Sequence, residues 1–264
     1  MQARTAQLLR SPIRHEDLEL ISPQGGTPYL RERASGTCFP IVNGIAHLLD
    51  QQRVVDYNRQ YQRFYNLIAP LYDSALTLGA KLTRHTVGQV RRQYLTKLEL
   101  APAARFLEVS IGTAANIQYL RDDIDCFGID ISLGMLKKAQ TNLRRWQRKA
   151  ELILADAEEL PFKDQIFDSV LHVGGINAFN DREAAIREMV RVAKAGTRIV
   201  IVDETAKLIT RLSWFPGGKT MLRKYADRFE PPLTLLPAGV TEVEVSELLD
   251  GGLYCLSFRS NAAS

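Results

Sequence analysis

The stretch Ala104-Arg105-Phe106-Leu107-Glu108-Val109-Ser110-Ile111-Gly112-Thr113-Ala114-Ala115-Asn116 constrains the fold of this chain more than any other. A short apolar run of strand type breaks into small residues and then enters a segment of helical pattern, Ile117 to Leu120. A strand that turns sharply into a helix leaves backbone N–H groups free at the turn, and these suit an anionic or polar ligand. Small residues there let the ligand approach the backbone. The next unit, Cys126-Phe127-Gly128-Ile129-Asp130-Ile131-Ser132, is a second short strand. Its carboxylate, Asp130, lies about 20 residues past the first turn, the spacing at which an acidic residue reaches ribose hydroxyls in βαβ nucleoside sites. The pattern indicates an α/β chain that holds a nucleoside carrier.

The glycines argue against a dinucleotide. A dinucleotide fingerprint reads G-x-G-x-x-G, whereas this chain has Ser110-Ile111-Gly112-Thr113-Ala114. Glu108 at the strand end would repel a pyrophosphate and suits a cation such as an α-ammonium group. A ligand with an amino-acid end and a ribose end is S-adenosyl-L-methionine (SAM). At these residues the chain resembles the class I SAM-dependent methyltransferases, whose first motif runs acidic-x-Gly-x-Gly-x-Gly. Ser110 and Ala114 depart from it at the first and third glycines. The resemblance implies a Rossmann-like, mostly parallel sheet of seven strands with an antiparallel C-terminal hairpin. It also implies in-line methyl transfer from SAM, with S-adenosylhomocysteine as the product.

Further motifs follow in the family's order. Ser132 can cap a helix Leu133–Arg144, with Met135 on its apolar face; in the family an apolar side chain at this place packs on the adenine. The stretch Glu151–Leu154 reads as a third strand, and Asp156-Ala157-Glu158-Glu159-Leu160-Pro161-Phe162 after it closely resembles the family's "Asp-Ala-x-x-Leu-Pro-Phe" motif. There the Asp holds the adenine amino group. Phe167–Gly175 reads as a fourth strand, helix Arg182–Val192 follows, and an Ala195-Gly196 turn leads into strand Thr197–Asp203. Ligands in open α/β sheets lie beyond the carboxyl ends of the strands. The expected cofactor residues are therefore Glu108, Ser110, Gly112, Thr113, Asn116, Asp130, Ile131, Met135, Asp156, Ala157, Val173 and Gly174.

Residues 51–98 form a tyrosine-rich helical pattern interrupted at Pro70. Within it, Ala69-Pro70-Leu71-Tyr72-Asp73 resembles the "Ala-x-x-Tyr-Asp" segment of ubiquinone/menaquinone-type C-methyltransferases, where a helical arm closes over the cofactor. Plain aromatic core at helical spacing is the other account. On the arm reading Tyr72 joins the cofactor site and Tyr65 the acceptor site. Asn177 and Phe179 on the loop after the fourth strand would line that acceptor site, as would Trp214 in an irregular insert at 204–240. His172 is the histidine at a strand end on the ligand side, and it is expected either as a general base or as a structural core residue. Gly218-Lys219-Thr220 is no P-loop, because Ser213 stands where that motif needs glycine.

Residues 1–50 read as a small β-rich module. Its Phe39-Pro40-Ile41-Val42-Asn43-Gly44-Ile45 phrase resembles the zinc-ribbon-type module associated with some methyltransferases, with Ser22-Pro23 in place of a metal-binding Cys-Pro. Cys38, Cys126 and Cys255 are far apart and lack C-x-x-C spacing, which speaks against a zinc ribbon or a disulfide framework and for no bound metal. No signal-like segment and no run of 18 apolar residues occurs, so a cytoplasmic protein is expected. Residues 99–264 would be the methyltransferase domain. The expected acceptor is a small apolar or planar molecule, quinone-like, isoprenoid or a natural-product scaffold. A net charge of +4 leaves an RNA or protein acceptor open but does not favour nucleic acid. The changed glycine motif leaves open a non-catalytic binding or scaffold protein. The oligomeric state is not legible.

Overall fold

The structure is a computed structural model that describes residues 1, 3–50, 54–69, 86–212 and 226–261. Among these residues eleven strands form one sheet: β1 (Leu18–Ile21), β2 (Tyr29–Glu32), β3 (Cys38–Val42), β4 (Ile45–His47), β5 (Arg105–Val109), β6 (Asp125–Asp130), β7 (Glu151–Leu154), β8 (Phe167–Val173), β9 (Ala193–Glu204), β10 (Thr241–Leu248) and β11 (Leu253–Arg259). Their spatial order is β1-β2-β3-β4-β7-β6-β5-β8-β9-β11-β10. Strands β5 to β9 run parallel, and β11 is antiparallel to both β9 and β10. The chain leaves β5 toward β7, then crosses back to β8. That reversal opens the crevice between β5 and β8, where a ligand binds in such sheets.

The seven strands from β7 to β10 form the Rossmann-like sheet with its antiparallel C-terminal hairpin. Residues 1–50 lengthen this sheet: β4 pairs parallel with β7 through Ala46–Ile153 and His47–Leu154. The segment before β1 also supports the site. Leu9 bridges Phe162, and Arg10 N–H donates to the Pro161 carbonyl at 3.1 Å. The phenylalanine of the Leu160-Pro161-Phe162 phrase is thereby explained: with Phe127 and Phe167 it makes a buried cluster of edge-to-face rings, at 4.9 Å from Phe167. That cluster pins the loop that begins at Asp156.

Strands β5 and β6 are buried on both faces, as a parallel sheet covered on both sides requires. Successive residues point to opposite faces, so Phe106 packs into the core on one side and Leu107 into that on the other. Among the described residues the helices of seven residues or more are α1 (Asp56–Ile68), α2 (Val87–Leu95), α3 (Leu133–Arg145), α4 (Arg182–Val192) and α5 (Ala206–Leu212). Ser132 caps α3 by accepting from the Met135 N–H at 3.1 Å, and Asp181 caps α4 by accepting from Ala184 N–H. Among the described residues no helix is long and apolar enough to cross a membrane.

Two local expectations are corrected. Ile117–Leu120 makes a single 3-10 turn, Ile117–Tyr119, in place of a helix, because Leu120 is already extended. Ala195-Gly196 lies inside β9 as a bulge: Phe167 pairs with Ala193 and Ser169 with Arg198, and Gly196 absorbs the excess at φ +72°. The portion of the arm at 70–85, with Tyr72, and the part of the insert that holds Trp214 lie outside the described residues.

Candidate active site

The carboxyl ends of β5, β6, β7 and β8, together with α1, line a cleft that is open to solvent. Ser110 and Gly112 contribute from the loop after β5, Asp130 and Ile131 from β6, and Met135 from α3. Asp156 and Ala157 follow β7, Val173 and Gly174 end β8, and Phe179 and Tyr65 complete the aromatic part of the wall. Ile129, Gly175, Ala178 and Asn58 also line the cleft; these four were missed in the sequence, and only Asn58 had a signal there. Asn58, Gln62 and Asn66 recur every four residues on α1, so they share one helical face.

The loop after β5 has an unusual backbone. Ser110 (φ 59°), Gly112 (φ 54°) and Ala114 (φ 60°) all adopt left-handed conformations. These are the three positions where the acidic-x-Gly-x-Gly-x-Gly pattern has glycine, so the chain keeps the geometry without two of the glycines. A left-handed residue with a Cβ costs about 1–2 kcal/mol. Ala114→Gly relieves that conformation but gives up a fully buried methyl, worth about 0.8 kcal/mol, and adds unfolded-state entropy, so stability is expected to change by less than about 0.5 kcal/mol. Urea denaturation checks this, and a loss of more than about 1 kcal/mol would show that the loop carries no such strain.

Asp130 organises this loop. Its Oδ2 accepts from Gly112 N–H and its Oδ1 from Ser132 N–H, both at 2.8 Å. Burial pushes the carboxyl up to about 6, against the opposing pull of those amides. Each oxygen keeps a second lone pair for a ligand hydroxyl. Asp156 is also raised, by burial first, and its Oδ1 accepts from Glu158 N–H at 3.0 Å.

Several expected site residues lie outside the cleft walls. Glu108 is buried behind the loop. Its Oε1 accepts from Asn116 Nδ2, and Oε2 is buried without a partner. Burial pushes its carboxyl up to about 8, so at neutral pH it is mostly protonated and not a waiting anion. Asn116 is held from the other side by Tyr94, whose hydroxyl donates to Oδ1 at 2.7 Å, and by Arg91. Thr113 is buried and gives its carbonyl to Asn142 Nδ2 at 3.1 Å. Asn177 is a loop brace: its N–H donates to Asp203 Oδ2 at 2.9 Å and its Nδ2 to the Glu204 carbonyl at 3.0 Å.

Of the two expectations for His172, its placement supports the structural one. It is fully buried in β8, with Nδ1 3.1 Å from the Val109 carbonyl. That contact makes Nδ1 the protonated nitrogen and leaves Nε2 unpartnered. Its ring packs edge-to-face on Phe179 at 5.3 Å, so it supports the cleft wall from behind. Burial lowers its pKa from 6.5 to about 4. A depressed base gives stability that is present above pH 6.5 and lost as pH falls toward 4, a change on the order of 3 kcal/mol. His172→Gln should flatten that part of the stability profile; equal slopes in both proteins would remove His172 from the account.

Residues 107–201 match the sequence model of a family described as a methyltransferase domain. A methyltransferase domain thus occupies residues 107–201. Over 142 residues it is 32% identical to the demethylmenaquinone methyltransferase of Corynebacterium urealyticum, covering 53% of this chain and 56% of that one. The demethylmenaquinone methyltransferase of Streptomyces avermitilis is 32% identical over 144 residues, 54% of this chain and 58% of its own length. The chain thus spans little more than half the length of these relatives. A putative S-adenosyl-L-methionine-dependent methyltransferase from Methanococcus maripaludis has the same fold, with a TM-score of 0.56, 15% identity, and coverage of 80% of this chain and 96% of that one. SAM is the cofactor of such a domain. The cleft's lining fits it: Asp130 has acceptor capacity at a strand end, and Met135 supplies an apolar wall.

Proposed function

We propose that this chain transfers the methyl group of SAM to a small planar acceptor of quinone or quinol type. The observation that carries the reading is the union, in one cleft, of Asp130, Met135 and Asp156 with the aromatic walls Tyr65 and Phe179. In this reading Asp130 takes the ribose hydroxyls, Met135 and Ile131 flank the adenine, and Asp156 accepts from the adenine amino group. Ser110 and Gly112 bring the backbone close to the amino-acid end, and Tyr65 and Phe179 sandwich a planar acceptor. The bound sulfonium supplies an already activated methyl, so the chain's main task is alignment, which can lower a barrier by roughly 7–11 kcal/mol. Val173 and Gly174 leave room for a flat ring, while His172 stiffens Phe179 from below. The relatives named demethylmenaquinone methyltransferase support a quinone-like acceptor.

Calorimetric titration with SAM and S-adenosylhomocysteine, followed by methyl incorporation into a panel of quinols, tests this. Binding of both ligands and turnover of a quinol are expected. Turnover confined to RNA or protein would overturn the acceptor, and binding of neither ligand would overturn the cofactor site.

A further inference from the structure

Helix α1 lies across the loops that form the cleft, and three side chains four residues apart tie it down. Asn58 Nδ2 donates to Glu158 Oε1 at 2.9 Å and to Asp156 Oδ2 at 3.3 Å. Gln62 Nε2 donates to the Ile131 carbonyl at 2.9 Å. Asn66 Oδ1 accepts from Ser132 Oγ and from Gly134 N–H, each at 2.8 Å. The approach is close: a Cβ on Gly134 would stand 3.0 Å from the Asn66 Cα. Each tether ends on a segment that lines the cleft or begins α3.

Asn58 differs from the other two. It is buried, it lines the cleft itself, and both its partners are carboxylates. Only the amide NH₂ can face two carboxylate oxygens, so the orientation of the side chain is determined by its partners. It separates two acidic groups that would otherwise repel, and it fixes one oxygen of Asp156 while the Glu158 N–H fixes the other. We infer that Asn58 is a positioning residue for cofactor recognition: it aims the Asp156 carboxylate at the amino group of the adenine. This rests on the SAM reading above.

The same bond has a pH consequence. Asp156 is raised by burial and by Glu159, and the hydrogen bonds from Glu158 N–H and Asn58 oppose that rise. Around it stand Glu158 and Glu159 on its own loop, Asp50 after β4, Arg10 and His15 of the N-terminal segment, and Glu188 of α4. Asp130 and Tyr65 face it across the cleft. Without Asn58, Asp156 takes up its proton at a higher pH and stops accepting from an amino group there.

The test uses the full chain and two probes, S-adenosylhomocysteine and S-inosylhomocysteine, which carries an oxo group in place of the 6-amino group. The ratio of the two affinities, measured by calorimetry between pH 5 and 8, isolates the Asp156 contact, because the ribose contact cancels. Asn58→Ala retains a good helix former. It is expected to lower the ratio about tenfold, the loss of one charge-assisted hydrogen bond, and to move its acid limb to higher pH. Gln62→Ala, which loosens the arm without touching Asp156, is expected to weaken both probes in the same proportion. If Asn58→Ala also weakens both in the same proportion, with the acid limb unmoved, Asn58 is merely structural and the inference fails. Failure of the unsubstituted chain to bind S-adenosylhomocysteine at all would instead overturn the SAM reading, and this inference with it.

Discussion

Asp130→Ala is expected to lower the affinity for S-adenosylhomocysteine by roughly 100-fold, the equivalent of two charge-assisted hydrogen bonds. The same carboxylate closes the loop after β5 onto Gly112 and starts α3 at Ser132, so removal leaves both amides without their acceptor. A stability loss of about 1–3 kcal/mol accompanies the binding defect. The pH dependence separates charge from shape. Burial raises the Asp130 carboxyl from 3.8 to about 6. In the ligand-free protein, stability from the protonated form is fully present below 3.8 and is lost as pH rises through about 6. In the proposed reading ribose hydroxyls donate to the ionised form, so ligand binding is expected to have the opposite sign: full above about 6 and weaker below it. Asp130→Asn should lose that slope, apart from the part due to Asp156, while leaving either the Gly112 or the Ser132 N–H facing an NH₂ donor. Calorimetry at several pH values decides it. A variant that binds as well as the parent at pH 7 would sink the assignment of Asp130 to the ribose.

Gly128→Ala is expected to be the most damaging single methyl in the sheet. A Cβ at Gly128 would stand 2.2 Å from Ile111 Cδ1, 2.9 Å from its Cβ and 3.0 Å from its Cγ1. The conflict therefore involves the root of the side chain and cannot be relieved by turning its tip alone. Overpacking of this kind costs about 1–3 kcal/mol. Ile111 also bonds the Ile129 carbonyl through its N–H at 2.8 Å and lies between Ser110 and Gly112, so displacing it disturbs the cleft. Denaturation and cofactor titration should both register the change. A stability shift within about 0.5 kcal/mol, the scale of a neutral surface change, would show that β6 has room there.

The two cases show how local pattern and packing divide the information. The strand-to-turn passage Phe106–Gly112, the Asp130 spacing, the Ser132 cap and the Asp156-Ala157 phrase are all read from neighbours in the chain, and all of them meet at the cleft. The hairpin of β10 and β11 is the antiparallel C-terminal hairpin that the resemblance implies. Side-chain direction was not legible in the sequence. A strand reverses direction at every residue, and a reading uncertain by one residue exchanges wall for core. Val173 lines the cleft while its neighbour His172 is sealed beneath Phe179. Glu108 and Asn116 turn away from the cleft into a cluster with Tyr94 and Arg91, partners roughly one helix earlier in the chain.

The sequence by itself determined the class I α/β sheet and that Asp130, Met135 and Asp156 stand at or just after its strand ends, where they line one cleft, because each depends on spacing within a few tens of residues. Only the tertiary structure decided that residues 1–50 extend the sheet through β4 and β7, that His172 is neutral core, and that Asn58 of the arm grips Asp156. Those facts depend on which distant surfaces meet and how much water they exclude, and burial sets both the protonation of a side chain and the identity of its partner.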